Sequence, residues 1–193
     1  MRFLRQDKTS LIFQAAIDIF SERGFDRATM DDIAARANVA KGTIYYHFKS
    51  KEDLFLFLVE EGIDLLREAV HEQIRPDMTG KQKLEAAIRQ QIEFFGEYRD
   101  FCIIMLREAW GAEQRQKEFR KMLTEYTKLL EGLIAQGIAE GSFIKTDPES
   151  AAWTVFGGAA IASLHLLLGR REYRADQLSR QVTAILLEGL QAD

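Results

Sequence analysis

The stretch TMDDIAARANVAKGTIYYHFKSKEDL, residues 29–54, decides how the chain folds. It opens with Thr29 followed by Asp31 and Asp32. A threonine there caps a helix N-terminus, and the carboxylate three positions on can answer the threonine's own N–H. Ile33, Ala34 and Ala37 then form the buried stripe of a short helix. Asn38 follows, a residue that tolerates the left-handed backbone of a sharp turn. The spacing predicts a second short helix from about Ala40 to Phe48. At about 100° per residue, Ile44 and Phe48 share its inward face. Gly42, Thr43, Tyr46 and His47 point outward and Tyr45 lies on the flank. Ser50, with Asp53 three positions on, caps the next helix.

Working outward, Leu11, Ile12, Ala15, Ala16, Ile19 and Phe20 fall on one face of a preceding helix, which Gly24 stops. The helix after Ser50 is long, with only Gly62 to weaken it before Pro76. Thr79 and Gln82 make another capping pair, and the helix it opens runs through Phe94, Phe95 and Tyr98. Phe101 to Trp110 reads as a short helix, and Phe119 to Ile138 as a long amphipathic one that Gly141 ends. Asp147-Pro148 starts a helix, and Leu178 to Leu190 forms the last. The expectation is an all-α protein of about nine helices with no strand. Residues 1–50 form a three-helix head and residues 51–193 a C-terminal helical bundle.

Composition agrees. The chain has 193 residues, 47% of them hydrophobic, and only 2 Pro, enough apolar material for a helical core. Its single cysteine, Cys102, excludes an intrachain disulfide and a cysteine-based zinc cluster, and in the run FCIIML it reads as core. No secretory signal is visible at the N-terminus, so the cytoplasm is the expected compartment. Residues 151–169, AAWTVFGGAAIASLHLLLG, carry no Asp, Glu, Lys or Arg and match a membrane span in length. His165, Thr154, Ser163 and the Gly157-Gly158 pair dilute that apolarity, and a helix buried on all sides of a soluble protein is the expectation. Charge is uneven. Residues 1–51 hold nine Lys/Arg against six Asp/Glu, while the whole chain carries a net charge of −4. A basic head on an acidic body suits a polyanion at the head.

Two short helices joined at Asn38 meet the needs of a helix-turn-helix whose second helix enters the major groove of DNA. Gly42 leaves its backbone bare near the start of that helix and so permits close approach. Lys41 and Thr43 are candidates for base edges. Tyr45, Tyr46 and His47 suit phosphates through O–H and N–H donors, and Lys51 can pair with another phosphate. Helix N-termini at Thr29 and Ser50 add backbone N–H groups. Taken singly, the tyrosines could be half-buried core and the lysines solvated surface. The caps, the turn and the inward Ile44/Phe48 pair together favour the DNA reader.

The same stretch closely resembles the DNA-binding signature of the TetR (tetracycline repressor) family of bacterial transcriptional regulators. The preceding AAIDIFSERGFDRATM is similar to that family's first helix and its connection. The resemblance implies operator contacts from Lys41, Gly42, Thr43, Tyr45, Tyr46, His47 and Lys51. It also implies a bundle that dimerises through its last two helices and binds a small molecule. The expected function is a sequence-specific regulator, a repressor released from a palindromic operator by a small apolar or aromatic effector. The alternative is a DNA-binding regulator with no effector.

For the body, Ala151, Ala152, Gly157, Gly158, Ala159, Ala160 and Ala162 permit close helix approach, and with the last helix they could pair two subunits of a homodimer. Candidate effector-binding residues are Phe94, Phe95, Tyr98, Trp110, Tyr126, Trp153, Phe156 and the isolated His165. For the aromatics the competing reading is ordinary core packing. For His165 it is a hydrogen-bonded core or interface position. The three histidines, His47, His71 and His165, lie far apart, and no HExxH, GxSxG, P-loop or dinucleotide motif occurs. No enzyme, cofactor, metal or membrane partner is therefore expected.

Overall fold

Helix boundaries follow the side-chain bonds that the cap residues can make. Thr29 Oγ1 accepts from Asp32 N at 3.1 Å, and the Asp32 carboxylate accepts from Thr29 N at 3.3 Å. Thr79 and Gln82 repeat the exchange at 3.2 and 2.9 Å. Ser50 Oγ accepts from Asp53 N at 3.0 Å, and Asp147 accepts from Ser150 N at 2.9 Å. Each bond satisfies an N–H that the first helical turn leaves without a partner. Gly24 and Gly141 take φ of +76° and +75°, and Asn38 takes +53°, so each turns the chain where a left-handed residue is needed.

The computed structural model describes residues 8–108, 113–169, 172 and 174–190. Among these, the helices are α1 (Lys8–Arg23), α2 (Met30–Arg36), α3 (Lys41–His47), α4 (Lys51–Gln73), α5 (Gly80–Glu97), α6 (Arg99–Glu108), α7 (Glu113–Ala139), α8 (Pro148–Leu168) and α9 (Ala175–Glu188). The protein is all-α, as the periodicity predicts. By contact it divides into two compact units, Met1–Gly62 with Asp100–Arg120, and Ile63–Arg99 with Lys121–Asp193.

The first unit is built on α1–α3, the start of α4, and α6. Ile12, Ala16, Ile33, Ile44, Leu54, Leu58 and Val59 are fully buried in it. Leu11, expected on the buried face, is 55% exposed; Phe13 and Ile17 are buried and widen the apolar face away from it. Phenylalanines close the core in tilted and edge geometries. Phe25 lies 5.4 Å from Phe20 and 5.3 Å from Phe55, and Phe57 lies 5.2 Å from Phe48. Gly62, which reads in sequence as a mild helix weakener, is a socket. The Phe101 ring comes within 2.0 Å of where a Cβ at Gly62 would stand.

In the second unit α5 packs on α8 and α9, and α8 on α9. Gly80 lets α5 start directly on α7, where a Cβ would meet the Gly137 backbone nitrogen at 2.3 Å. The unit's core includes the fully buried Leu84, Ile88, Ile92, Tyr126, Leu130 and Ile134. Helix α8 differs from its sequence reading. Ala151, Ala152, Val155, Ala159, Ala160, Ser163 and Leu167 are buried. On its other face Thr154 and His165 are exposed, with Ile161 60% and Leu168 61% exposed. Packing against α5 and α9 covers only part of the helix, and its composition is apolar all round, so one apolar stripe is left outside.

Candidate nucleic-acid interface and effector-binding residues

The turn into α3 is held by backbone bonds from Asn38 N to Ala35 O (3.2 Å) and from Val39 N to Ala34 O (3.0 Å). Ala40 stands at the N-cap in extended conformation with no side-chain cap. Of the seven α3 residues only Ile44 is buried. Lys41, Gly42, Tyr45 and His47 are exposed, Thr43 is half-buried, and Tyr46 is 84% exposed. The Tyr46 and His47 rings meet edge-on at 5.3 Å. A large aromatic this open, amid polar neighbours, presents an amphipathic contact surface outward.

Much of the basic charge is paired within the head. Lys41 Nζ lies 2.5 Å from Asp31, which raises the lysine's pKa through a hydrogen bond and charge. Arg23 pairs with Asp32 at 2.8 Å, and Arg36 with Glu22 at 2.8 Å and Asp18 at 3.5 Å. These pairs are exposed, so they restrain side-chain direction more than they stabilise the fold. Lys49 is exposed and lies just past the end of α3, and among the described residues no carboxylate pairs with its ammonium. Thr29 is engaged in its capping box. Lys51 points inward: its ammonium lies 2.6, 3.1 and 2.9 Å from the carbonyl oxygens of Phe25, Asp26 and Ala28.

The candidate effector residues separate. Tyr126, Trp153 and Phe156 come together, with Phe156 5.9 Å from Tyr126 and 6.2 Å from Trp153. Phe94 and Tyr98 form a second pair at 4.6 Å, and Phe95 is buried. His165 lies on the exposed face of α8, and Trp110 falls outside the described residues. A groove of about 600 Å³ between α5 and α9 is lined by Glu85, Arg89, Glu93, Asp176 and Arg180 among others. Another of about 270 Å³, with Gln73, Arg75, Met78 and Gln82, shares Arg89. Most of the side chains lining both are polar or charged, and neither is lined by the aromatic set.

Sequence reading missed Gln91. It is fully buried, accepts from the Tyr126 hydroxyl at 3.3 Å and donates to the Phe156 carbonyl at 3.0 Å. Its signal was present: Gln91 falls on the α5 stripe of Leu84, Ile88 and Phe95 at helical spacing. A polar residue on a core stripe needs a buried partner. Burial pushes the Tyr126 phenol upward, so it remains a neutral donor. Burial does the same to the Cys102 thiol, which leaves it inert.

Comparison with known proteins bears on both regions. The family described as bacterial regulatory proteins, tetR family, matches residues 12–58. A family described as tetracyclin repressor-like, C-terminal domain, matches residues 77–163. A fatty acid metabolism regulator protein of Bacillus subtilis (strain 168) is 28% identical over 190 residues, covering 96% of this chain and 97% of its own. A Clostridium perfringens structure assigned as a fatty acid metabolism regulator has a TM-score of 0.86 at 32% identity, covering 95% of this chain and 100% of its own. The Bacillus subtilis transcriptional regulator FadR, solved in complex with stearoyl-CoA, has a TM-score of 0.86 at 26% identity, covering 94% and 98%.

Proposed function

Because the chain belongs to the TetR family of bacterial transcriptional regulators, we propose that it is a cytoplasmic repressor released from its operator by a long-chain fatty acyl thioester. It is a DNA-binding regulator, and the exposed polar face of α3, carried on a single buried anchor, supports α3 as its reader. Lys41 and Thr43 address base edges, while Tyr45, Tyr46 and His47 address phosphates. Gly42 lets the backbone approach, and Thr29 fixes the start of α2. Lys41 leaves Asp31 to do so, a modest cost for an exposed pair. In this reading residues 1–50 are the DNA-binding head and residues 51–193 the effector-binding and dimerisation region.

A single recognition helix contacts too few bases for tight binding, so two copies on half-sites about 34–36 Å apart are required. Ile161 and Leu168 on α8, with Ile185 on α9 at 72% exposure, supply an apolar surface for the homodimer. His165 belongs to that surface rather than to the pocket. The effector class rests on the two relatives named for fatty acid metabolism and on the stearoyl-CoA complex. Tyr126, Trp153, Phe156, Phe94, Phe95 and Tyr98 provide the apolar lining, and an acyl chain enters by moving them apart. It shifts the protein only by its preference for the released state.

The test is selection of a duplex from a random pool, followed by titration with acyl-CoA thioesters of increasing chain length. A palindrome is expected, with release strengthening as the chain lengthens. Recovery of a palindrome that no thioester releases would favour the regulator without effector, in which the packed aromatics are simply core. Gly42→Ala gives a second check. A Cβ there meets nothing within 4 Å, so the head gains up to about 1 kcal/mol from helix propensity. Operator affinity falls all the same, because the added methyl stands on the DNA-facing surface. Thermal melts and operator titration of the variant read the two effects separately.

A further inference from the structure

We propose that Lys51 is a positioning residue of the DNA-binding head, a clamp on the α1–α2 connection, and not a phosphate ligand. The inference rests on the head being a DNA reader. An ammonium has three N–H donors. All three of those on Lys51 are accounted for by the carbonyls of Phe25, Asp26 and Ala28 at 2.6, 3.1 and 2.9 Å. The same nitrogen stands 4.5 Å above the Phe25 ring, close enough for a cation–π attraction. That ring is buried and wedged against Phe20 and Phe55, so the cage has a rigid floor. A phosphate would have to strip at least one of these bonds from a half-buried ammonium. Lys49 stands nearby on the exposed surface and would meet a phosphate without that loss.

The carbonyls converge because the chain reverses between Gly24, in left-handed conformation, and Thr29, the N-cap of α2. The Phe25 ring, 5.3 Å from Phe55, also ties this loop to α4. Lys51 is the first residue of α4, so the clamp joins that helix's first turn to the entry of α2. The tilt of α2, and of the α3 that packs on it, is thereby fixed to α4. The cage also selects its cation. Three carbonyls around one nitrogen suit a compact ammonium, whereas the planar fork of Arg suits phosphate and carboxylate.

The experiment measures operator affinity across a salt series for the wild type, Lys51→Met, Lys51→Arg and Lys41→Met, with hydrogen exchange at residues 24–30 of the free proteins. A lost phosphate contact flattens the log affinity against log salt slope by about 0.9 per subunit. The clamp predicts that both Lys51 variants bind about tenfold or more weakly at an unchanged slope, with faster exchange in the loop. Lys41→Met provides the reference for a lost charge on the reading face. A flattened slope in Lys51→Met, with affinity restored in Lys51→Arg, would overturn the proposal. Unchanged loop exchange in both variants would overturn it too. Lys51→Arg keeps the charge and the stem, so it guards against a global loss of fold. If the wild type selects no operator, the DNA reading fails and the exchange measurement alone judges the clamp.

Discussion

Replacing Ile44 by alanine is expected to lower stability by about 2–4 kcal/mol, within the range for truncating a buried isoleucine. Operator affinity should fall at least tenfold. The reason is the length of α3. Seven residues are too few to hold a helix in water by themselves. Its N-cap is an alanine with no side-chain bond, so capping contributes little. What remains is burial of Ile44, fully enclosed, and of Phe48 at the C-cap, 6% exposed. Truncating Ile44 opens a cavity beneath the helix and loosens the backbone that aims Lys41, Thr43 and Tyr46. Urea titration measures the first effect and operator binding, under conditions where the variant is still folded, measures the second. Ile44→Val, which removes one methylene, should cost about 0.5–1.5 kcal/mol and keep most binding. Full operator affinity in a folded Ile44→Ala protein would mean that α3 is not the reader.

The other large effect is expected at Gly80. A methyl there would stand 2.3 Å from the Gly137 nitrogen, 2.7 Å from its Cα and 2.9 Å from the Leu133 carbonyl oxygen. All three are backbone atoms of α7, so no side chain can swing aside. Helix α5 must instead back away from α7. That also stretches the bond from Gly80 N to the Glu140 carboxylate, now 2.8 Å. Bonds from Gln136 and from Gly80 hold that carboxyl below its ordinary pKa. Gly80→Ala should therefore cost about 3 kcal/mol, the upper end for overpacking. In a chain of this size that lowers Tm by ~6–12 °C. The contrast with Gly42→Ala is informative, because the same chemical change stabilises an open helix position and destabilises a closed one. A melt of Gly80→Ala equal to that of the wild type would show that α5 and α7 do not approach so closely.

Local chemistry made much of the fold legible. Thr29 with Asp32, Thr79 with Gln82, Ser50 with Asp53 and Asp147 with Pro148 each satisfy their own helix start, so a few adjacent residues suffice to place them. Asn38, Gly24 and Gly141 were legible for the same reason, since each needs an unusual φ that few residues accept. The inward Ile44 and outward Tyr46 follow from helical period alone. What stayed hidden involves partners far apart in sequence. The carbonyl cage of Lys51 spans more than twenty residues, and a lysine after a capping serine gives no hint of it. Gly62 reads the same whether it faces solvent or receives the Phe101 ring. His165 reads as a polar point in an apolar helix, and only the packing of α8 on α5 and α9 puts it outside. The aromatic candidates could not be sorted by composition, because a pocket lining and a core draw on the same residue types.

The single anchor beneath α3 has a consequence for the history of such regulators. Six of its seven positions lie outside the core, so they can be exchanged with little penalty to folding. A duplicated gene can thus drift toward a new operator through substitutions at those sites while the scaffold stays constant. Binding specificity and foldability are written in separate letters of one short word, and selection can edit the first without rewriting the second.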